Sequence, residues 1–187
     1  MTDKSTILDK ALQLGLERGW EELRLHDIAD ALDIPLADIA QHFSQKDDLV
    51  DAWFDRADQH LLSIKAESDW LALPAERRIE EVIWRWLEAL APYRRVTGQM
   101  LLYKLEPGHI HLQIGGVLRI SRTVQWLMEA ADLKARHLHR IRQEIALSTV
   151  FVSTFVHWLT DSSVHQQSCR QSLKRKLAVG AKLNIWK

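Results

Sequence analysis

The stretch DIADALDIPLADIAQHFSQKDDL, residues 27–49, decides the fold of this 187-residue chain. Leu25, Ile28, Ala29 and Leu32 recur at helical spacing, Asp33-Ile34-Pro35 interrupts them, and Leu36, Ile39, Ala40 and Phe43 resume the pattern. Residues three and four apart share one face of a helix, so each run gives a short helix with one apolar stripe. Two such helices about a tight turn form the helix-turn-helix outline. Ser44-Gln45 breaks the pattern again. Lys46 then opens a longer helix carrying Leu49, Val50, Trp53, Phe54, Ala57, Leu61 and Ile64.

Upstream, Ile7, Leu8, Ala11, Leu12 and Leu14 form a first helix, closed by Arg18-Gly19 with the glycine that helix C-termini favour. Downstream, Pro74 suits the first turn of a helix whose face is Ile79, Val82, Ile83, Trp86, Leu87 and Leu90, with charged residues largely opposite. Shorter and longer helical patterns follow over residues 96–105 and 112–131, the latter with a kink expected at Gly115-Gly116. Residues 141–159 are apolar nearly all round, and such a helix is expected to be buried on most sides. The expectation is an all-α chain, residues 1–50 forming a three-helix head and residues 51–187 a helical-bundle body.

Composition agrees. Hydrophobic residues make up 47% of the chain, with eight Trp, while seven Gly and four Pro punctuate it too sparsely for a turn-rich sheet protein. The single cysteine, Cys169, excludes an internal disulfide. The first residues have no apolar core of a signal peptide, and no stretch approaches the roughly 20 apolar residues of a membrane span, so a cytoplasmic location is expected. The net charge of zero conceals a division: residues 1–65 carry 7 Lys and Arg against 14 Asp and Glu, and the remainder carries 18 against 11. An acidic head is the wrong sign for phosphate backbones, whose neutralisation by Lys and Arg supplies most non-specific DNA affinity.

Residues 27–49 resemble the TetR/AcrR pattern of transcriptional regulators: Asp-Ile-Ala, a turn, a short recognition helix, then His-Phe-x-x-Lys-x-x-Leu. Asp27, Ile28, Ala29, Ile34, Ile39, His42, Phe43, Lys46 and Leu49 agree, and Gly19-Trp20 upstream fits as well. The resemblance covers about the first 55 residues. It implies a homodimer that reads a double-stranded DNA operator and answers to a small apolar or amphipathic effector held in the body. By position it implies Lys46 as a phosphate ligand, Gln41 and His42 as recognition-helix contacts, and Arg24 and His26 as backbone contacts. This chain departs from the pattern where Asp38 replaces a small polar residue, Ala40 a tyrosine, and Pro35-Leu36 a Ser-Lys pair. Asp38 can accept from cytosine N4, yet it repels phosphates.

A second resemblance runs through the body. LEALAPYRR (87–95), RTVQWLMEAAD (122–132) and WLTDSS (158–163) look like landmarks, in that order, of TetR-fold lipid-binding proteins of coenzyme Q biosynthesis. That likeness implies an isoprenoid ligand, a head without DNA binding and a peripheral membrane contact. Near the C-terminus Leu173, Leu177 and Ala181 share a stripe, Arg170, Lys174, Arg175, Lys176 and Lys182 supply positive charge, and Trp186 is a candidate interfacial anchor. A dimer-interface or solvated helix is the alternative reading of the same segment.

Trp84, Met100, Tyr103, Trp126, Phe151, Phe155 and Trp158 are candidate liners of an apolar body pocket, the usual place for a ligand between helices. Aromatics at helical spacing also serve simply as core. His109 with His111 and His137 with His139 point to different helix faces at a spacing of two, so no metal site is expected. No glycine-rich phosphate loop or catalytic set stands out; neither enzyme activity nor a cofactor is expected.

Overall fold

Every regular element among the described residues is helical, as the 3.6-residue apolar spacing predicts. The computed structural model describes residues 2–63, 69–104 and 110–187, the side chains of 110–114 excepted. The helices are α1 (Lys4–Arg18), α2 (Leu25–Leu32), α3 (Leu36–Ala40), α4 (Lys46–Leu62), α5 (Ala75–Leu90), α6 (Arg94–Lys104), α7 (Ile110–Ala130), α8 (His137–Thr160) and α9 (Gln167–Lys182). The chain forms two compact units, Met1–Arg56 with Leu90–Gly116, and Ala57–Ala89 with Val117–Lys187.

In the first unit, Asp3 caps α1 by accepting from the Thr6 N–H at 2.7 Å. Gly19 ends it at φ 94°, a backbone conformation open to glycine and strained for other residues. The chain leaves α2 through Asp33 in the left-handed region, a role aspartate tolerates through its short polar side chain, and Pro35 then presets the entry to α3. Asp48 accepts from the Ser44 N–H at 2.8 Å and the Gln45 N–H at 3.1 Å, satisfying donors at the start of α4. Ile7, Leu12, Leu23, Ile28, Ile39, Phe43 and Leu49 are buried together as the core.

Helix α6 belongs to this unit. Val96 lies so near Gly15 that a Cβ there would meet it at 3.2 Å, and the Trp53 indole donates to Thr97 Oγ1 at 2.9 Å. Arg95 donates to the Leu16 carbonyl. Lys104, almost wholly buried, donates to Asp47 and Asp51, each at 3.0 Å.

In the second unit, α5 buries Ile79, Val82, Ile83, Trp86 and Leu87, and α7 buries Val124, Leu127 and Met128. The α7 backbone is helical through the glycine pair Gly115-Gly116. Helix α8 is buried along one side through Leu147, Val150, Phe151, Phe155 and Trp158. It leaves Ile141 55%, Ile145 63% and Val156 49% exposed, so burial on most sides does not hold within a single chain. These positions follow a spacing of four and then eleven, which keeps them near one stripe.

The reading of Trp186 as an interfacial anchor is corrected. Its indole is buried against α9, where Gly180 has no side chain, and it donates to the Leu177 carbonyl at 2.8 Å. Leu173 and Leu177 are buried as well, Arg170 pairs with Glu80 and Glu81, and Lys176 donates to Ser153. The stripe on α9 faces protein because α8 packs against it. No helix among the described residues is long and apolar enough to cross a membrane.

Candidate nucleic-acid interface and candidate pockets

Ile39 pins α3 by its complete burial, and that turns Leu36, Ala37, Ala40 and Gln41 outward. Of these four, Gln41 alone carries a side-chain donor, so the outward face offers more shape and apolar surface than hydrogen bonds. Asp38 lies at its edge, half-buried. The half-buried His42 ring places Nε2 3.1 Å from the Thr2 carbonyl oxygen.

Arg24 and His26 flank the start of α2. The Arg24 guanidinium pairs with Asp27 at 3.2 Å, and the Asp27 carboxylate also accepts the Arg24 N–H at 2.8 Å. Those bonds, the side-chain one first, hold the Asp27 carboxyl below its ordinary range and raise Arg24. His26 Nδ1 lies 3.1 Å from Asp30. Asp48 loses some solvation by burial, but its bonds from Ser44 and Gln45 outweigh that and lower its pKa.

The acidity read from residues 1–65 is thus partly engaged internally. Asp9 pairs with Arg56, Asp27 with Arg24, and Asp47 and Asp51 with Lys104. Counting residues 1–56 and 90–116 together gives 9 Lys and Arg against 14 Asp and Glu, an excess of five negative charges. Arg94, Arg95 and Lys104, which lie far along the chain, offset in part by Glu106, lower the excess from seven to five.

Lys46 opens α4, and its ammonium reaches back over the head. It donates to the Glu21 carbonyl oxygen at 2.9 Å and stands 5.4 Å from the Trp20 ring centroid and 5.2 Å from that of Tyr103. Beside it a cleft of about 350 Å³ is lined by Arg18 to Glu22 and by Gln99, Leu102 and Tyr103. Gln99 fixes one wall by accepting the Trp20 N–H at 2.9 Å. Sequence reasoning missed this cleft, since its walls come from segments about eighty residues apart.

The seven candidate pocket residues divide between the units. Met100 and Tyr103 belong to the first, Met100 fully buried in its core and Tyr103 at the cleft. In the second, Phe151 and Phe155 meet Trp86 edge to face at 5.0 and 5.2 Å, and Trp158 stacks on Phe155 at 6.2 Å. Trp84 carries the Arg170 guanidinium over its ring, and Trp126 is 41% exposed on α7. A hollow of about 360 Å³ near Arg78, Leu133 and Trp186 includes none of the seven.

The second unit also holds a buried ion pair the sequence did not reveal. Asp58 accepts from Arg119 at 2.7 Å, the Trp86 indole at 2.8 Å and Thr123 at 3.1 Å. Its partners lie 28 to 65 residues away, so no local motif signals it. Of the histidine pairs, His109 and the His111 side chain lie outside the described residues. His139 Nε2 lies 3.0 Å from the Lys187 carbonyl, and no group of potential metal ligands occurs among the described residues.

Residues 7–53 match the family of bacterial regulatory proteins called tetR. A solved TetR transcriptional regulator from Nitrosomonas europaea ATCC 19718 is 44% identical, superimposes with a TM-score of 0.82, and is covered over 96% of its length by 94% of this chain. A TetR transcriptional regulator from Rhodococcus sp. RHA1 shares the fold at 15% identity and a TM-score of 0.70, over 92% of each chain. A comparison with curated protein sequences returns no match.

Proposed function

Because the chain belongs to the TetR family of bacterial transcriptional regulators, we propose that it binds a DNA operator as a homodimer and releases or engages it in response to a small apolar or amphipathic ligand. The observation that carries the reading is the geometry of α2 to α4. A short helix is pinned by Ile39 with its other face outward, and the N-terminus of α4 with Lys46 follows it directly. Helix-turn-helix dimers place such helices in successive major grooves, about 34 Å apart. Gln41 and the exposed Leu36 and Ala40 then face base edges, while Lys46, Arg24 and His26 serve the backbone.

The exposed stripe of α8 supports the dimer, because Ile141, Ile145 and Val156 have no cover within one chain. The aromatic cluster of Trp86, Phe151, Phe155 and Trp158 is the place in the second unit where an apolar ligand finds compatible chemistry. Coupling of such a ligand to DNA affinity has a typical size of about 1 to 3 kcal/mol.

A mobility-shift series across salt, with genomic fragments and random duplex, tests this reading. Binding that weakens steeply with salt, and whose salt slope falls by about 1 in Lys46→Ala, sustains it. Absence of DNA binding at low salt removes it. The net negative charge of the first unit favours a second reading, a TetR-fold lipid carrier without DNA binding. Native mass spectrometry of the purified protein, showing a bound lipid where DNA binding is absent, decides for that one.

A further inference from the structure

The cleft beside Lys46 has the makings of a receptor for an ammonium group. Two aromatic faces, Trp20 and Tyr103, each lie within the roughly 6 Å over which a ring attracts a cation. The Glu21 carbonyl oxygen accepts a hydrogen bond from the cation between them. The carboxylates of Glu21 and Glu22 outnumber the one cation, Arg18, among the lining residues, and Leu102, 69% exposed, supplies an apolar wall. The volume of about 350 Å³ is that of a small-molecule site. What already sits on these rings is a primary ammonium on an alkyl stem, the side chain of Lys46 itself.

We propose that this cleft binds a primary aliphatic amine, which takes the place held by the Lys46 ammonium between Trp20 and Tyr103. The amine's N–H groups donate to the Glu21 carbonyl, and its stem lies along Leu102 and Tyr103. The Lys46 ammonium stands over the Trp20 ring, so the amine reaches that face as Lys46 moves away. The two cations therefore compete. A consequence rests on the regulator reading above: the displaced Lys46, standing at the start of α4, is released toward a DNA phosphate, and the amine strengthens DNA binding.

Isothermal titration of the full chain with n-butylammonium chloride tests the cleft without reference to DNA. Lys46→Met removes the internal competitor, so this variant binds at least about tenfold more tightly than the parent chain, a difference of about 1.4 kcal/mol. Tyr103→Leu added to it weakens binding at least fivefold. Lys46→Gln replaces Lys46→Met if circular dichroism shows the latter misfolded. No binding to either folded variant, indifference to Tyr103→Leu, or equal binding of tetramethylammonium, which has no N–H to donate, overturns the assignment. In mobility shifts the amine raises the DNA affinity of the parent chain and leaves that of Lys46→Met unchanged. Amine binding without that rise overturns the link to DNA, and a chain that binds no DNA at all overturns the regulator reading while the titration still judges the cleft.

Discussion

Gly180 and Trp186 are complementary in shape: a Cβ on Gly180 would fall 2.4 Å from the indole that covers it. The closeness lets the Trp186 N–H reach the Leu177 carbonyl and brings the chain's last residues across α9 to Gln143, which donates to the Ile185 and Lys187 carbonyls.

Gly180→Ala is expected to destabilise the fold by about 1 to 3 kcal/mol, the usual range for overpacking a close contact. A single methyl here meets a rigid ring rather than a flexible chain end. Calorimetry should show a melting temperature several degrees lower; an unchanged value would show that the indole has room to shift.

Asp58 and Arg119 form a buried pair joined by Trp86 and Thr123. Removing one partner strands a charge, at a cost of about 3 to 5 kcal/mol. Arg119→Met should therefore destabilise more than the double variant Asp58→Leu with Arg119→Met. Urea denaturation midpoints compare them, and an equal loss in both refutes the argument.

Asp161 accepts the Ser163 N–H and the Cys169 N–H, each at 2.8 Å, and these bonds, Ser163 foremost, hold its carboxyl below the ordinary range. A carboxyl depressed in the folded state contributes stability that is complete above its unfolded pKa, about 4, and is lost as pH falls through the lower folded value. Stability should decline below about pH 4, and Asp161→Asn should flatten that decline. Chemical denaturation at pH 3 and at pH 6 gives the comparison.

Cys169 is a buried free thiol of low reactivity. Burial first, then the nearby Asp161 carboxylate, pushes its thiol up to about 11, so little thiolate exists at neutral pH. Folded protein should react with a thiol reagent many times more slowly than protein in urea, and comparable rates would contradict the burial.

Ile145 lies on the exposed stripe of α8. If that stripe joins two copies, Ile145→Asp should raise the dimer dissociation constant at least about tenfold, or 1.4 kcal/mol. Sedimentation velocity across a dilution series reads this directly. A chain that is monomeric before mutation refutes the dimer.

What the sequence determined by itself was local. The 3.6-residue spacing, Gly19, Asp33-Ile34-Pro35 and the Ser44-Gln45 break specify α1 to α4, because backbone preference and an apolar stripe are written in neighbouring residues. The family followed from the same stretch. Tertiary structure alone decided which distant residues meet: α6 against α1 and α4, Lys104 between Asp47 and Asp51, Arg119 on Asp58, and Trp20 with Tyr103 around Lys46. It also decided that Trp186 turns inward while Ile145 turns outward, although both are large apolar residues in helical or near-helical segments. Such outcomes depend on which faces remain uncovered after the helices pack, and a periodic pattern says only that a face exists, not what will cover it.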